Sequence, residues 1–363
     1  MRVREITCLA LTLVTVALFW APVASQAQDF RATISGAVTD PQGAVIPGAK
    51  VEIRNLNTNV AIVVTTNESG LYVAPYIPMG VYSVTVSVEG FRSAVRNRVE
   101  LRIGDRVQID FRLEVGALTE QVTVTGAAEL LETSSASHGQ VIDTAKVADM
   151  PLFGRNPFLL VALATGAQYI PLRMGTSARP FDNGGMDNIT INGGRAFTNE
   201  FLLDGVPNTN TETTSPSNLS FVPSPDATAE FKVQTNTYDA QYGRTGGGII
   251  NVGLKSGTNQ LHGNLYHYFR HDVLNANRWE SNLLGRNRDR VRWNQPGVQF
   301  DGPVYLPRIY DGRNRTFFMY SWEAIRTTFP WSQTFTVPML EQREGDFTRT
   351  LQANGAPILV YDP

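Results

Sequence analysis

The chain has 363 residues, with 31 basic against 33 acidic side chains and a formal net charge of −2. That balance gives no electrostatic basis for a nucleic-acid partner, and the length allows two or three domains. Its one cysteine, Cys8, excludes a disulfide framework and a cysteine-ligated metal. Arg2 and Arg4 precede an apolar run, Ile6 to Trp20, and Ser25-Gln26-Ala27 offers small residues at a cleavage point. This is the pattern of a secretory signal peptide over residues 1–27, with a run too short for a spanning helix. Cys8 lies too early for a lipid anchor, and no later stretch is apolar for long enough to be a membrane helix. A membrane role therefore requires a β-barrel.

From 28 to 115 the chain reads as short alternating strands separated by Gly, Pro and Asn turns. Thr33–Val38, Lys50–Arg54, Leu71–Val73, Val81–Val88 and Val107–Leu113 show period two, and Asp40-Pro41-Gln42-Gly43 and Asn67-Glu68-Ser69-Gly70 are turns. About seven strands at this spacing predict a small β-sandwich. Ile34-Ser35-Gly36, Pro47-Gly48-Ala49-Lys50-Val51, Ser69-Gly70-Leu71-Tyr72 and the unit from Gly80 to Phe91 resemble the carboxypeptidase regulatory-like domain, a prealbumin-type sandwich. The resemblance implies fold and no peptidase chemistry. Residues 116–128 follow as a short extended segment, with Val122 and Val124 facing one way and Gln121, Thr123 and Thr125 the other. On these residues alone it is a last sandwich strand, a linker or an edge-pairing segment.

From 129 to 259 the texture changes. A short helix is predicted over Thr144–Asp149, capped by Asp143 and stopped at Met150-Pro151. Pro151 to Gly166, Ile189 to Arg195 and Phe201 to Pro207 follow, with Asp204-Gly205 as a hairpin turn. Asn208 to Ser220 is a polar run that reads as a plug loop. Glu230 to Asn259 reads as strand, glycine turn, strand, with Tyr242-Gly243, Gly246-Gly247-Gly248 and Ile249-Ile250-Asn251-Val252. These motifs resemble the plug of TonB-dependent outer-membrane transporters of the Oar-like branch. The site residues so implied are Asp204, Gly205, Tyr242, Gly243, Gly247, Gly248 and Asn251. Under the same resemblance Thr119, Glu120, Gln121, Val122, Thr123, Val124 and Thr125 form a TonB box, the segment that pairs edge-on with the periplasmic energy-transducing protein. Arg155, Arg195 and Arg244 lie within the plug motifs and read as partners of plug carboxylates or of the barrel wall.

Residues 260–363 carry aromatic-rich strands. Leu261, Gly263, Leu265 and Phe269 share one face, as do Phe318, Tyr320 and Trp322. This fits the outward apolar band of an outer-membrane barrel, and a soluble sandwich is the competing reading. Plugged barrels of this type have about 22 strands, so the chain is expected to be the N-terminal part of a longer protein.

No enzyme constellation emerges. Gly248 to Gly253 has the glycine spacing of a phosphate loop, but Leu254 stands where lysine is needed. His262, His267 and His271 lack the glutamate of the metalloprotease helix motif, and His262 and His267 point to opposite faces of a strand. The expectation is a mainly β protein: sandwich, mixed α/β plug, and the start of an antiparallel outer-membrane barrel. Catalytic residues, metal and cofactor are expected to be absent. Expected partners are TonB, outer-membrane lipid and an extracellular ligand, with no nucleic acid. The alternative is a surface or periplasmic adhesion protein that stacks carbohydrate on Tyr72, Tyr76, Tyr82 or Phe91.

Overall fold

The structure, a computed structural model, describes residues 30–116, 121–123, 138–142, 144–150, 152, 155–169, 189–195, 198–209, 219–238, 240–243, 245–328, 337–351 and 354–358. The signal segment, Asp143, Arg244 and all of the 119–125 segment except 121–123 lie outside these residues. Two compact units are present. The first runs to Tyr266 and resumes over Gly297–Glu323; the second comprises His267–Pro296 and Ala324–Pro363.

The first part of unit one is a sandwich of β1 (Ala32–Thr39), β2 (Lys50–Asn55), β3 (Ala61–Thr65), β4 (Leu71–Ile77), β5 (Gly80–Ser87), β6 (Ser93–Leu101), β7 (Arg106–Gln108) and β8 (Phe111–Arg112). One sheet has the order β4-β1-β7 with β8 also on β1. The other has β3-β2-β5-β6 and ends in β9 (Gln121–Thr123). Alternation sends Ala32, Ile34 and Val38 of β1 and Val51 and Ile53 of β2 into a shared core. Burying each of the larger side chains contributes roughly 1.5–3 kcal/mol.

The single strand expected over Val107–Leu113 is two, both parallel to β1. The break falls at Ile109-Asp110. The Ile109 carbonyl lies so close to Gly36 that a side chain there would collide with it, and it accepts the Tyr72 hydroxyl at 2.7 Å. The Asp110 carboxylate takes the Ala37 N–H at 2.8 Å in place of a ladder bond.

Beyond β9, the plug-like region is built on β10 (His138–Ile142), α1 (Thr144–Asp149), a 3₁₀ helix (Pro157–Leu163), β11 (Ala167–Tyr169), β12 (Ile189–Ile191), β13 (Glu200–Leu203), β14 (Val206–Pro207), β15 (Thr228–Asn236) and β16 (Ile249–Leu254). The sheet order is β10-β15-β16-β13-β14, mostly antiparallel but with β13 parallel to β16. Its core gathers Phe158, Phe201 and Phe231, with Phe158 edge-on to Phe201 at 5.6 Å. The predicted hairpin forms at Asp204-Gly205, both at positive φ (47° and 74°), as a primed two-residue turn demands.

Then come β17 (His262–His271), α2 (Trp279–Leu283), β18 (Arg292–Pro303), β19 (Tyr305–Leu306), β20 (Tyr310–Asp311), β21 (Phe317–Glu323), β22 (Arg326–Thr328) and α3 (Leu340–Arg343). The order β17-β18-β21 forms one sheet, in which β21 and β22 are both antiparallel to β18, and β19 and β20 make a small hairpin of their own. Within unit one, Leu261, Leu265, Phe300, Tyr320 and Trp322 are solvent-exposed, while Gln299 and Asp301 on the opposite face of β18 are buried. The Phe300 ring lies 5.1 Å from Tyr320 and 5.9 Å from Phe318. Apolar outside and polar inside is the arrangement of an outer-membrane barrel wall. In unit two, Gln295 is buried and accepts the Trp293 indole N–H at 2.8 Å. Also there, His271 stacks on Phe269 and accepts the Val273 N–H on Nδ1 at 3.1 Å.

Candidate functional site: plug, wall and coupling strand

The glycine motif is a close approach of backbones. A side chain on Gly247 would sit 2.8 Å from the Thr198 carbonyl, and one on Gly248 would sit 2.8 Å from that of Gln234. Space removed there lets Asn199 reach between strands: its Oδ1 accepts the Gly248 N–H at 3.0 Å and its Nδ2 donates to the Ile189 carbonyl at 2.6 Å. Gly243, by contrast, has no such close neighbour among the described residues. Tyr242 is buried against Leu202 and Ile249.

Asp204 does more than turn the hairpin. Its Oδ1 accepts the Leu254 N–H at 3.0 Å and so fastens the turn to β16; burial raises its pKa and that hydrogen bond opposes the rise. Asn251 accepts the Gly205 N–H on Oδ1 at 3.3 Å, also from β16. The structure thus brings Asp204, Gly205 and Asn251 to one end of the sheet, and Tyr242, Gly247 and Gly248 to the loop between β15 and β16. Asn208 clamps the ends of the polar loop: its Nδ2 donates to the Phe221 carbonyl at 2.7 Å and its Oδ1 accepts the Phe221 N–H at 3.0 Å.

Arg155 is at the centre of the contacts between the plug-like region and strands β17 and β21. It sits at positive φ (56°) just before the Asn156 cap, a conformation rarely adopted by a residue with a Cβ. Its guanidinium bonds Asp226 of the plug and lies 3.4 Å from Glu323 Oε2 on β21. It also stacks 4.5 Å over the ring of Tyr266 on β17. Tyr266 donates to the same Glu323 oxygen at 2.8 Å, and Asn264 donates to Asp226 at 2.7 Å. Arg195 is exposed and joins no comparable network among the described residues.

A second seam joins the sandwich to the plug. Glu230 of β15 accepts the Ile103 N–H at 2.6 Å, and Lys232 pairs with Asp105 at 3.2 Å. Burial, opposed by the Ile103 hydrogen bond and reinforced by Asp105, pushes the Glu230 carboxyl up to about 7. A Cβ on Gly253 would lie 2.6 Å from Ile103 Cδ1, so glycine lets the sandwich close on β16. Beside this seam is a cavity of about 500 Å³ whose lining includes Asn55, Glu100, Glu230, Lys255 and Asp301. His262, which also lines it, pairs with Asp301 at 3.6 Å. The aromatics considered for sugar stacking are not on offer as a platform: Tyr72 and Tyr82 are core residues and Phe91 packs against the core, leaving Tyr76 exposed under Arg31.

Of the expected coupling segment, Gln121–Thr123 forms β9 and pairs parallel with Ser93–Val95 of β6. A last sandwich strand is one of the options these residues leave open, but no local pattern marks this particular partner.

Comparison with known proteins agrees with this geometry. Residues 33–114 match the carboxypeptidase regulatory-like domain family and residues 253–363 match the outer membrane beta barrel domain family. The chain is 26% identical over 292 residues to the TonB-dependent transporter Oar of Myxococcus xanthus. By that match the chain is a homologue of this transporter. The matched region covers 77% of this chain and 24% of that relative, so the chain spans about a quarter of its length. Two solved structures also align: the siderophore receptor PirA of Acinetobacter baumannii and a ferric enterobactin receptor of Pseudomonas aeruginosa, each 16% identical with a TM-score of 0.34. The first covers 46% of this chain and 22% of that receptor, the second 47% and 23%. At that level of superposition they carry no argument about ligand. The homology and the barrel match support an outer-membrane location, and the family of the matched relative is one of transporters and receptors, not of enzymes.

Proposed function

We propose that this protein is an outer-membrane receptor that takes up an extracellular ligand with energy delivered through TonB, and that it performs no chemistry itself. The observation that carries the reading is the Arg155 network. It joins a plug-like fold to the polar face of strands whose other face is apolar and aromatic, the relation a plug has to the inside of a barrel wall. In this reading residues 28–115 are a periplasmic sandwich, 116–128 the coupling segment, 129–259 the plug, and 260–363 the first barrel strands. Force on the segment Thr119–Thr125 shifts the plug and opens the lumen. Edge-on pairing needs only free backbone N–H and C=O groups, which proline removes.

The test is capture of the full chain by the purified C-terminal domain of TonB. The chain is expected to be captured, and a Val122→Pro/Val124→Pro variant is expected to lose capture. Equal capture of the variant overturns the assignment of the segment.

A further inference from the structure

β9 is an unusual member of its sheet. The pairs β3-β2, β2-β5 and β5-β6 are all antiparallel, whereas β9 lies parallel to β6, in the register Ser93↔Gln121, Ala94↔Val122, Val95↔Thr123. Parallel pairing is slightly weaker per residue, and this ladder is three residues long. Glu114 and Val115 run the opposite way beside the residues just before that strand: Phe91 bridges Val115 and the Arg92 N–H donates to the Glu114 carbonyl at 2.8 Å. Gln121–Thr123 therefore runs opposite to Glu114–Val115 beside this stretch of chain. On the far side, Arg98 has a φ of 58°, which bends β6 away from extended geometry. The straight edge that β6 can offer a neighbour is thus bounded on both sides, and β9 occupies it. Without β9 that stretch of β6 would be a bare sheet edge.

We propose that this edge of the sandwich is the resting dock of the coupling segment, and that the energy-transducing partner must peel β9 from β6 to engage it. The proposal rests on the reading of residues 119–125 as that segment. Backbone groups that face β6 are spent in the clasp and cannot pair with a second chain. Three parallel residues hold weakly enough for a longer ladder to displace them. The dock is also anchored: β6 runs on to Leu101, and the turn after it is fixed to the plug by Ile103 on Glu230 and Asp105 on Lys232. The sandwich thereby holds the segment against the body of the receptor until it is captured.

Paired strands lie roughly 4.8 Å apart, within reach of a disulfide. The experiment uses the full chain with Cys8→Ala, carrying Ser93→Cys with Gln121→Cys. A control carries Ala61→Cys with Gln121→Cys, because β3 is the far edge of the same sheet. Oxidation is expected to cross-link the first pair and not the second. The cross-linked chain is expected to lose capture by the TonB C-terminal domain by at least about tenfold, and reduction is expected to restore it, which also shows that the variant folds. A missing cross-link, with capture of the unmodified chain intact, overturns the dock alone. So does undiminished capture of the cross-linked chain, which would mean that TonB adds to the outer edge of β9. If the unmodified chain is not captured, the coupling reading falls and takes the dock with it.

Discussion

The sandwich and the plug-like region both bury apolar clusters, yet they are closed by different means. In the sandwich the cluster draws on β1, β2, β4, β5, β6, β7 and β8, and few buried side chains are polar, Asn55 and Thr66 among them. In the plug-like region Asn156, Asn199, Asn208, Asn251, Lys232 and Gln234 are buried alongside the phenylalanines. The amides Asn156, Asn199 and Asn208 each accept from a backbone N–H, and the last two also donate to a backbone carbonyl. Apolar layers resist displacement in proportion to area, whereas hydrogen bonds are lost over a few tenths of an ångström. A region held by directional bonds has fixed geometry at rest and a short path to release, which under the proposed function suits a plug that moves. A region held by area suits a domain that stays folded while its neighbour moves.

The comparison is broken most sharply at Arg155. Arg155→Ala leaves Asp226 and Glu323 without their cation in a site where all three side chains are largely shielded from solvent. Removing one member of a buried ionic network costs about 3–5 kcal/mol. The plug is expected to become sensitive to protease while the sandwich, probed by cleavage within 30–116, stays resistant. Lysine is not expected to substitute, because it cannot contact both carboxylates and stack on Tyr266 at once. Equal destabilisation of both regions would show that the two are not separately held.

The seam between them is expected to respond to pH. Glu230 carries a carboxyl whose pKa is raised from 4.5 to about 7 by burial in the folded protein. The folded state therefore holds this proton more tightly than the unfolded state. Its contribution is complete below about pH 4.5 and is lost as pH rises through 7. The loss across that window is on the order of 3 kcal/mol. The groups that face it are Asp105 and Glu100, which reinforce the rise, and Arg102, which opposes it. Melting curves between pH 4.5 and 8 are expected to slope downward for the native chain and to flatten for Glu230→Gln. A slope unchanged by the substitution would assign the titration elsewhere.

Most of the sandwich was legible because alternation is a local signal. Ile34, Val51, Val84 and Val86 occupy the face that period two gives them. The helix over Thr144–Asp149 and the turn at Asp204-Gly205 were legible for the same reason, being set by neighbouring residues. The partners of Arg155 were not, since Asp226 lies 71 residues away and Glu323 lies 168 residues away. Nor was the docking of Gln121–Thr123 on Ser93–Val95, because a parallel pair has no turn to announce it. Close contact among the described residues accounts for Gly247 and Gly248 in the motif and gives no such reason for Gly243.

The smallest effect is a matched pair of substitutions, one in each region. Asn199→Ala leaves the Ile189 carbonyl and the Gly248 N–H without this partner in a buried site and is expected to cost about 2 kcal/mol. Ile34→Val removes one methyl group from the fully buried core of the sandwich and is expected to cost about 0.5–1.5 kcal/mol. Magnitude separates the two less than character does. The valine variant keeps every hydrogen bond, so backbone amide exchange in the sandwich should rise evenly with the loss of global stability. The alanine variant loses a stitch between β12 and the loop that enters β16, so exchange should rise first at Gly248 and Ile191, ahead of the rest of the sheet. Even exchange in both variants would mean that the plug is held by area after all, and the contrast drawn from its buried amides would not survive.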